Sequence, residues 1–216
     1  MSDSGDTNVT KHETIDERLL NRVIFYTDAV FAIVMTLMIL DLRPPEFASI
    51  AGNHAAIQSM AGHFFALAMS FIVIGVFWIA HLATTRRMRH FDWASAVANL
   101  VFMFPVCLIP FATAWWGHDL NAPFPWGMYC GVMIASSLAN LGLVLTVSRD
   151  GGRLMGGITP RERLYRAARA TTPAVAFGIG IVLLFAGLLH WSQFSFLLIP
   201  VQIVLYARFL NPKPSA

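Results

Sequence analysis

The sequence predicts an all-α, polytopic membrane protein with six transmembrane helices per subunit. Its 216 residues are 56% hydrophobic and only 12% charged, whereas soluble domains usually carry about 25% charged residues. Six mainly apolar stretches are each long enough to cross the hydrocarbon core of a bilayer as a helix, and polar or glycine-rich segments separate them. Most basic residues lie in alternate segments, as in a multi-pass protein.

The first element joins a polar N-terminal segment to the first span. Residues 1–15 are polar and of mixed charge, so we expect a disordered cytoplasmic segment. A helix is predicted from Ile15, because Thr14 with Glu17 three residues later forms a capping-box pattern. The helix continues into a first span at about residues 23–42. The Pro-Pro pair that follows ends it, since proline cannot donate a backbone hydrogen bond.

The other elements follow in order after an outer loop with some helical character at residues 46–60. The remaining spans are predicted at about residues 63–83, 95–116, 126–147, 172–189 and 194–210. Pro105 and Pro110 interrupt the third span. A flexible, glycine-rich connector should precede the fifth span, and residues 190–193 should form a tight turn before the sixth. Residues 16–210 are thus one predicted transmembrane domain, and residues 211–216 a cytoplasmic tail.

The positions of the basic residues predict the topology. Fourteen of the 15 Lys and Arg residues lie before span one or after spans two, four and six, and only Arg43 lies on the other side. The positive-inside rule then places both termini in the cytoplasm of a cell-membrane protein. The basic connector of residues 149–169 would face anionic lipid headgroups. Four aromatic residues flank the turn after span three and predict an interfacial belt: Trp115, Trp116, Trp126 and Tyr129.

Span one carries two kinds of surface. At about 100° per residue, Ile33, Leu37 and Leu40 fall within about 60° of one another, and Thr36 borders this aliphatic stripe. Asp28 lies about 140° around the helix from Ile33, so we expect it to face a neighbouring helix. A carboxylate inside a span is costly and needs a partner or water, which makes Asp28 a candidate functional residue.

Spans two and three offer polar partners at the same depth as Asp28. Trp78 supplies an indole N–H donor, and His81, one helical turn further on, can donate or accept. Asn99 lies near the same end of span three. These side chains could satisfy one another where water cannot reach. Asp28 could instead be tied to His81, Arg22 or Trp78 for assembly alone.

The segment Arg22–Asp28, RVIFYTD, resembles the R-x-x-x-F-S-D signature of the endosomal and lysosomal potassium-channel family, in its prokaryotic six-helix branch. Tyr26 stands at the family's Phe and Thr27 at its Ser. The rest of span one is also similar. Two further patterns resemble the family's second and third helices: Ser70, Phe71, Trp78 and His81, and then Asn99, Leu100, Pro110 and Phe111. The resemblance covers most of residues 18–115.

The resemblance implies a homotetramer around a pore lined by helix one, permeable to potassium and without a carbonyl-loop filter. The positions that match the family's constriction are Ile33, Leu37 and Leu40, and the Thr36 hydroxyl is expected close to the ion path. The family's inter-helix network corresponds to Arg22, Thr27, Asp28, Trp78 and His81, which Asn99 can join. No cofactor and no fixed metal ligands are expected; the permeant ion is K⁺, and the partners are copies of the chain and membrane lipids.

Two other classes of function stay open at this point. A proton- or ion-coupled secondary transporter would need ionisable residues near the middle of the bilayer and a repeated half. A membrane scaffold without transport would explain the polar residues but not the aliphatic stripe. An enzyme is not predicted, because the sequence contains no paired carboxylates, nucleophile–base spacing or cluster of metal ligands.

Overall fold

The computed structural model describes residues 6–42 and 50–210. In these ranges the secondary structure is helical, and no strand is present. Eight α-helices follow one another: α1 (Asp6–Leu37), α2 (Ile50–Thr85), α3 (Trp93–Cys107), α4 (Ile109–His118), α5 (Pro123–Val147), α6 (Pro160–Phe185), α7 (Leu189–Gln193) and α8 (Leu198–Phe209).

Six spans in the described residues are long and apolar enough to cross a membrane, which confirms the predicted fold class. They are Ile15–Leu40, Met60–Thr85, Trp93–His118, Pro123–Val147, Pro160–Phe185 and Leu189–Phe209. The third span combines α3 and α4, and the sixth combines α7, a 3₁₀ turn and α8. The protein is therefore an all-α, six-span membrane protein.

The first two helices are longer than predicted. α1 begins at Asp6, so residues 6–15, which were predicted to be disordered, are helical. Once a helix is nucleated, each further residue adds a hydrogen bond, and this stretch contains no proline or glycine. α2 begins at Ile50, inside the predicted outer loop. Three ranges lie outside the described residues: 1–5, 43–49 and 211–216. They contain the start of the N-terminal segment, the Pro-Pro pair predicted to end the first helix with the start of the outer loop, and the whole predicted tail.

The predicted break in the third span occurs at Leu108, between α3 and α4. Pro105 and Pro110 lie on either side of Leu108, and neither can donate the backbone hydrogen bond that would continue the helix. Asp92 caps the start of α3, where its side chain accepts hydrogen bonds from the backbone N–H groups of Ala94 and Ser95. Both the start and the break of this span thus have causes that can be read in the sequence.

The connector before α6 is ordered, whereas the sequence predicted a flexible segment. A 3₁₀ turn covers Asp150–Met155, and α6 begins at Pro160, with Thr159 as N-cap accepting from the Glu162 N–H. Gly152 has φ +79°, and a Cβ atom there would lie 2.7 Å from the Ile158 side chain. Gly152 allows this close approach because it has no Cβ atom. A glycine that predicted flexibility is therefore required here by close packing.

The turn before the sixth span also differs from the prediction. Residues 190–193 belong to α7 instead of forming the turn. The chain reverses at Gly187, which has φ +78°, a left-handed conformation that side-chain-bearing residues rarely adopt. The turn therefore lies a few residues earlier than predicted, at the one glycine of this stretch.

The core of the protein is aromatic. α5 packs mainly against α6 and α3 and also contacts α4. Four large aromatic residues of α4, α5 and α6 are fully buried: Trp116, Trp126, Tyr129 and Phe177. Trp126 stacks on Tyr129 with ring centroids 5.5 Å apart. Three of the four residues predicted as an interfacial belt are thus core residues, and Trp115 alone of the four is exposed. Their position next to a turn could not show whether they face lipid or protein.

Candidate functional site

Helix α1 packs one face against the rest of the described chain and leaves the other face uncovered. Residues at intervals of three, four or seven positions are buried: Leu20, Thr27, Phe31, Val34 and Met38. This spacing forms a single stripe along a helix, and the stripe packs against α2, α3 and α4. Only 22% of the apolar window of this span is buried within the subunit, compared with 50% for α5.

The predicted constriction residues lie on the uncovered face. Ile33 is 56% exposed, Leu37 46% and Leu40 69%. Leu40 belongs to the 3₁₀ turn Met38–Asp41 that follows α1. Residues three apart eclipse one another in a 3₁₀ helix, so Leu40 continues the line of Leu37. The three aliphatic side chains therefore form one stripe, as predicted, and no other part of the described subunit covers it.

Thr36 borders the aliphatic stripe and is exposed as well. Its hydroxyl donates to the carbonyl oxygens of Ala32 (2.9 Å) and Ile33 (3.0 Å). A hydroxyl bonded back to its own helix can lie at a membrane-depth surface without an unsatisfied donor. Its oxygen lone pairs are still available to an ion or a water molecule.

A buried chain of hydrogen bonds links α1, α2 and α3. The Asn99 Nδ2 atom donates to Thr27 Oγ1 (2.7 Å), and Thr27 donates in turn to the Val23 carbonyl (2.8 Å). Asn99 Oδ1 is 2.9 Å from His81 Nε2. Because an amide oxygen only accepts, His81 carries its proton on Nε2. All three linking side chains are buried, so one amide joins three helices.

A second, separate hydrogen bond joins α1 to α2 near the first. Trp78 Nε1 donates to Asp28 Oδ1 at 2.9 Å. The indole is 37% exposed and Asp28 is partly buried. Among the partners that the sequence offers, Asp28 is thus bonded to Trp78. The two polar links are at the same depth but do not share a hydrogen bond.

The structure does not bring Arg22 into this network. Arg22 is exposed, and no hydrogen bond or ion pair to it is present within residues 6–42 and 50–210. It lies five residues before Thr27, about 140° around the helix. That angle places it on the uncovered face of α1, away from α2 and α3.

Sequence reasoning missed the aromatic residues that enclose His81. The imidazole stacks on Phe102 with ring centroids 5.8 Å apart, and Phe31 approaches it at 6.1 Å. Both phenylalanines are buried. The chain contains 17 phenylalanines, and no spacing distinguishes these two.

A further polar link between α2, α4 and α5 was also missed. Thr113 donates to Ser70 Oγ (2.8 Å), and Ser70 donates to the Tyr129 hydroxyl oxygen (3.0 Å). Ser70 belongs to one of the sequence patterns of span two, but its partners are 43 and 59 residues away along the chain. Such separations leave no local pattern.

Part of the chain is similar in sequence to known proteins. Residues 22–110 match the family described as endosomal/lysosomal potassium channel TMEM175. A protein named potassium channel from Chryseobacterium sp. is 32% identical over 114 residues, 53% of this chain and 57% of the relative. Another protein of that name, from Streptomyces collinus, is 31% identical over 134 residues, 60% of this chain and 65% of the relative. The matches thus span less than two thirds of either relative.

The fold is similar to that of a solved protein. The crystal structure of a lysosomal potassium-selective channel TMEM175 homolog from Chamaesiphon minutus superimposes with a TM-score of 0.69, at 20% sequence identity. The superposition covers 90% of this chain and 100% of that one. The segment that matches the family contains α1 from Arg22 onward, the polar links to α2 and α3, and the aliphatic stripe. On these findings, residues 22–110 match the TMEM175 family, and the fold of the chain is that of the superimposed TMEM175 homolog.

Proposed function

We propose that the chain is one subunit of a homotetrameric, potassium-permeable cation channel, and that Ile33, Leu37 and Leu40 of four copies form its constriction. The observation that carries the proposal is the uncovered aliphatic stripe on α1, opposite a face that is tightly packed within the subunit. The names of the two bacterial relatives and of the superimposed structure, all potassium channels, support it.

The dimensions of the stripe suit a hydrophobic gate. Four residues of α-helix separate Ile33 from Leu37 by about 6 Å, and three residues of 3₁₀ helix separate Leu37 from Leu40 by a further ~6 Å. Four symmetry-related stripes would give three stacked aliphatic rings. A narrow apolar passage of this length excludes water and blocks ions until it widens.

The same rings would favour potassium over sodium only modestly. Residues 29–40 contain no charged side chain, so no ring of charges stands at the constriction. An ion that crosses an apolar ring loses part of its water, and K⁺ holds its water less strongly than Na⁺. The Thr36 hydroxyl, exposed beside the stripe, would supply an oxygen to a partly dehydrated ion.

The polar links would hold α1 at the angle that the pore requires. The Thr27–Asn99–His81 chain and the Asp28–Trp78 bond fix α1 against α2 and α3. Arg22, exposed on the uncovered face, would be free to contact a neighbouring subunit. We place the protein in the cell membrane with both termini in the cytoplasm, because the basic residues are concentrated on that side.

A flux assay on purified protein in liposomes tests the proposal. Under a K⁺ gradient, with Na⁺ and proton gradients as controls, the wild type should pass K⁺ without a coupled ion. Ile33→Asn and Leu37→Asn should each raise the basal leak several-fold, because a polar side chain hydrates the ring. Val182→Asn, at an exposed position of α6, is the matched control and should leave the leak unchanged.

Three results would contradict the proposal. Unchanged flux in both α1 variants would remove the stripe from the ion path. K⁺ movement that requires an opposing proton gradient would indicate a coupled transporter. No flux of any tested ion would leave a scaffold as the better description.

A further inference from the structure

A cavity of about 90 Å³ lies where α2, α5 and α6 meet. It is at the end of the bundle where the basic residues are concentrated, next to Arg166 and Arg169. Its walls are mainly small and apolar, but three polar side chains also line it: Asn140, Tyr165 and Thr84. It has room for a few water molecules or one group the size of a phosphate.

Asn140 is the first residue of this cavity with a polar atom that lacks a partner. The residue is 2% exposed, and its Oδ1 atom has no hydrogen-bond partner in the part of the chain that the structure describes. Leaving a buried amide oxygen without a donor destabilises a fold. The position therefore calls for a ligand that donates a hydrogen bond from an O–H or N–H group.

Arg169 is the second unexplained group. Its guanidinium lies 5.9 Å from the centre of the Tyr165 ring, and no carboxylate within ion-pairing distance is present among the described residues. Arg166, one turn earlier, differs: it donates to Glu162 through Nε and Nη2 and to the Ala83 carbonyl through Nη1. Arg166 is thus ion-paired with Glu162, which Arg87 also contacts, and it builds the wall, whereas Arg169 has a positive charge without a paired carboxylate among the described residues.

The two groups together define a ligand with an anionic oxygen and a nearby hydrogen-bond donor. The site also lies at the edge of the apolar part of the bundle, because residues 170–189, which follow Arg169, contain no charged side chain. Basic pockets between transmembrane helices at this depth bind lipid headgroups. A lipid could place its headgroup in the small cavity and its acyl chains against the exposed apolar residues of α6.

We propose that this cavity binds the headgroup of an anionic phospholipid that carries hydroxyl groups, such as phosphatidylglycerol. The phosphodiester oxygens would accept hydrogen bonds from Arg169, and a headgroup hydroxyl would donate to Asn140 Oδ1. The site does not depend on the ion path proposed above.

Lipid binding measured by native mass spectrometry of the purified full chain tests the proposal. The probes are phosphatidylglycerol, phosphatidylmethanol with the same acyl chains and charge but no hydroxyl, and phosphatidylcholine. Phosphatidylglycerol should bind about fivefold more tightly than phosphatidylmethanol, the effect of one neutral hydrogen bond. Arg169→Gln should weaken phosphatidylglycerol binding about tenfold, the effect of a charged hydrogen bond.

Two variants separate the cavity from general surface charge. Arg163→Gln removes a positive charge from the exposed surface of the same helix, outside this cavity, and should change the affinity less than twofold. Asn140→Leu should abolish the difference between phosphatidylglycerol and phosphatidylmethanol while keeping the dependence on Arg169. Because the readout is binding, a failure here is distinct from a failure of the flux assay.

Several outcomes would overturn the proposal. Equal affinities of the wild type for phosphatidylglycerol and phosphatidylmethanol would do so without any variant, even if Asn140→Leu does not fold. If Arg163→Gln and Arg169→Gln weakened phosphatidylglycerol binding equally, surface charge and not the cavity would account for the binding. Displacement of the lipid by millimolar glycerol phosphate would reassign the site to a soluble phosphate ester.

Discussion

Asn99 contacts two other helices through a single amide. Its Nδ2 atom donates to Thr27 on α1, and its Oδ1 atom lies 2.9 Å from His81 Nε2 on α2. Thr27 and His81 are both buried, and His81 also stacks on an aromatic side chain, so neither partner has access to water. Asn99 therefore stabilises the protein mainly because its loss would leave two buried polar groups without their hydrogen-bond partner.

Asn99→Leu is predicted to destabilise the protein. Removal of the amide leaves the His81 N–H without an acceptor and Thr27 without its donor, at a cost of about 1–3 kcal/mol. A lower melting temperature of the detergent-solubilised protein would be the direct readout. Asn121→Leu, at an exposed position between α4 and α5, is the control. Equal melting temperatures for Asn99→Leu and the wild type would mean that the three-helix link adds no stability.

For single residues, the sequence predicted which side chains form the polar links better than it predicted which of them bond to one another. Matched depth along the spans identifies Asp28, Trp78, His81 and Asn99 as potential partners. Which atoms bond to which depends on helix rotation and tilt to within about an ångström, and the order of residues does not contain that information. Arg22 was predicted in the network from its motif, and its angular position on α1 keeps it outside.

The start of α3 shows how a short local pattern determines an element. Asp92 accepts from two backbone N–H groups of the first turn and also pairs with Arg149, which follows α5. Partial burial raises the pKa of the Asp92 carboxyl. The hydrogen bond from Ala94 and the charge of Arg149 outweigh this effect, so the pKa lies below its usual value. The carboxylate thus links a helix cap to a distant loop.

The pH dependence of the stability that the Asp92 charge contributes can be measured with Asp92→Asn. Asparagine can still cap the helix, so the main loss in the variant is the negative charge opposite Arg149 and Arg153, which contributes up to about 1 kcal/mol. Because the folded pKa is depressed, this contribution is present above about pH 4, the unfolded value, and is lost as the pH falls through the folded pKa.

The difference in melting temperature between wild type and Asp92→Asn should therefore be full at pH 7 and shrink towards zero below about pH 4. Asp119→Asn is the control, since Asp119 accepts from the Asn121 N–H but lacks an ion pair among the described residues. A difference as large at pH 3 as at pH 7 would show that the charge pair is not its source.

Elements with strong local signals were predicted well, and elements set by packing were not. The break at Leu108 follows from two prolines, and the start of α6 follows from the cap at Thr159, although the predicted span begins later. The glycines of the connector predicted flexibility, but Gly152 is buried against Ile158. A glycine pattern alone does not distinguish a mobile loop from a tightly packed one.

For the molecule as a whole, the least covered surfaces are on the first and last spans. The apolar windows of these two spans are 22% and 17% buried, the lowest values of the six. In a membrane, apolar exposure by itself carries no penalty, and helices associate through close packing and polar contacts. A tetramer around α1 is thus proposed from the stripe and the relatives, and it makes a prediction about assembly.

Asp28→Ala should lower the tetramer fraction more than it changes ion selectivity. The variant removes the acceptor that fixes Trp78 of α2 against α1, and an interhelical hydrogen bond in a membrane contributes about 0.6 kcal/mol and up to ~1.7. Light scattering after size-exclusion chromatography measures the tetramer fraction, and reversal potentials measure selectivity. Asp119→Ala, an exposed carboxylate outside the spans, should change neither.

The opposite pattern in Asp28→Ala would reassign the residue. An intact tetramer that no longer prefers K⁺ over Na⁺ would place the carboxylate on the ion path instead of in a helix contact. The distinction is measurable because the two readouts are independent. It also separates a role in assembly from the role of the aliphatic stripe.

The sequence alone determined the class of protein, the number of spans, the faces of α1 and the residues that could carry a function. These properties depend on composition and on periodicity along one helix, which neighbouring residues specify. Only the tertiary structure decided that His81 bonds Asn99, that Asp28 bonds Trp78, that Arg22 is left out, and that Asn140 meets Arg169 at one cavity. Those contacts join residues tens of positions apart, and the relative rotation of packed helices brings them together.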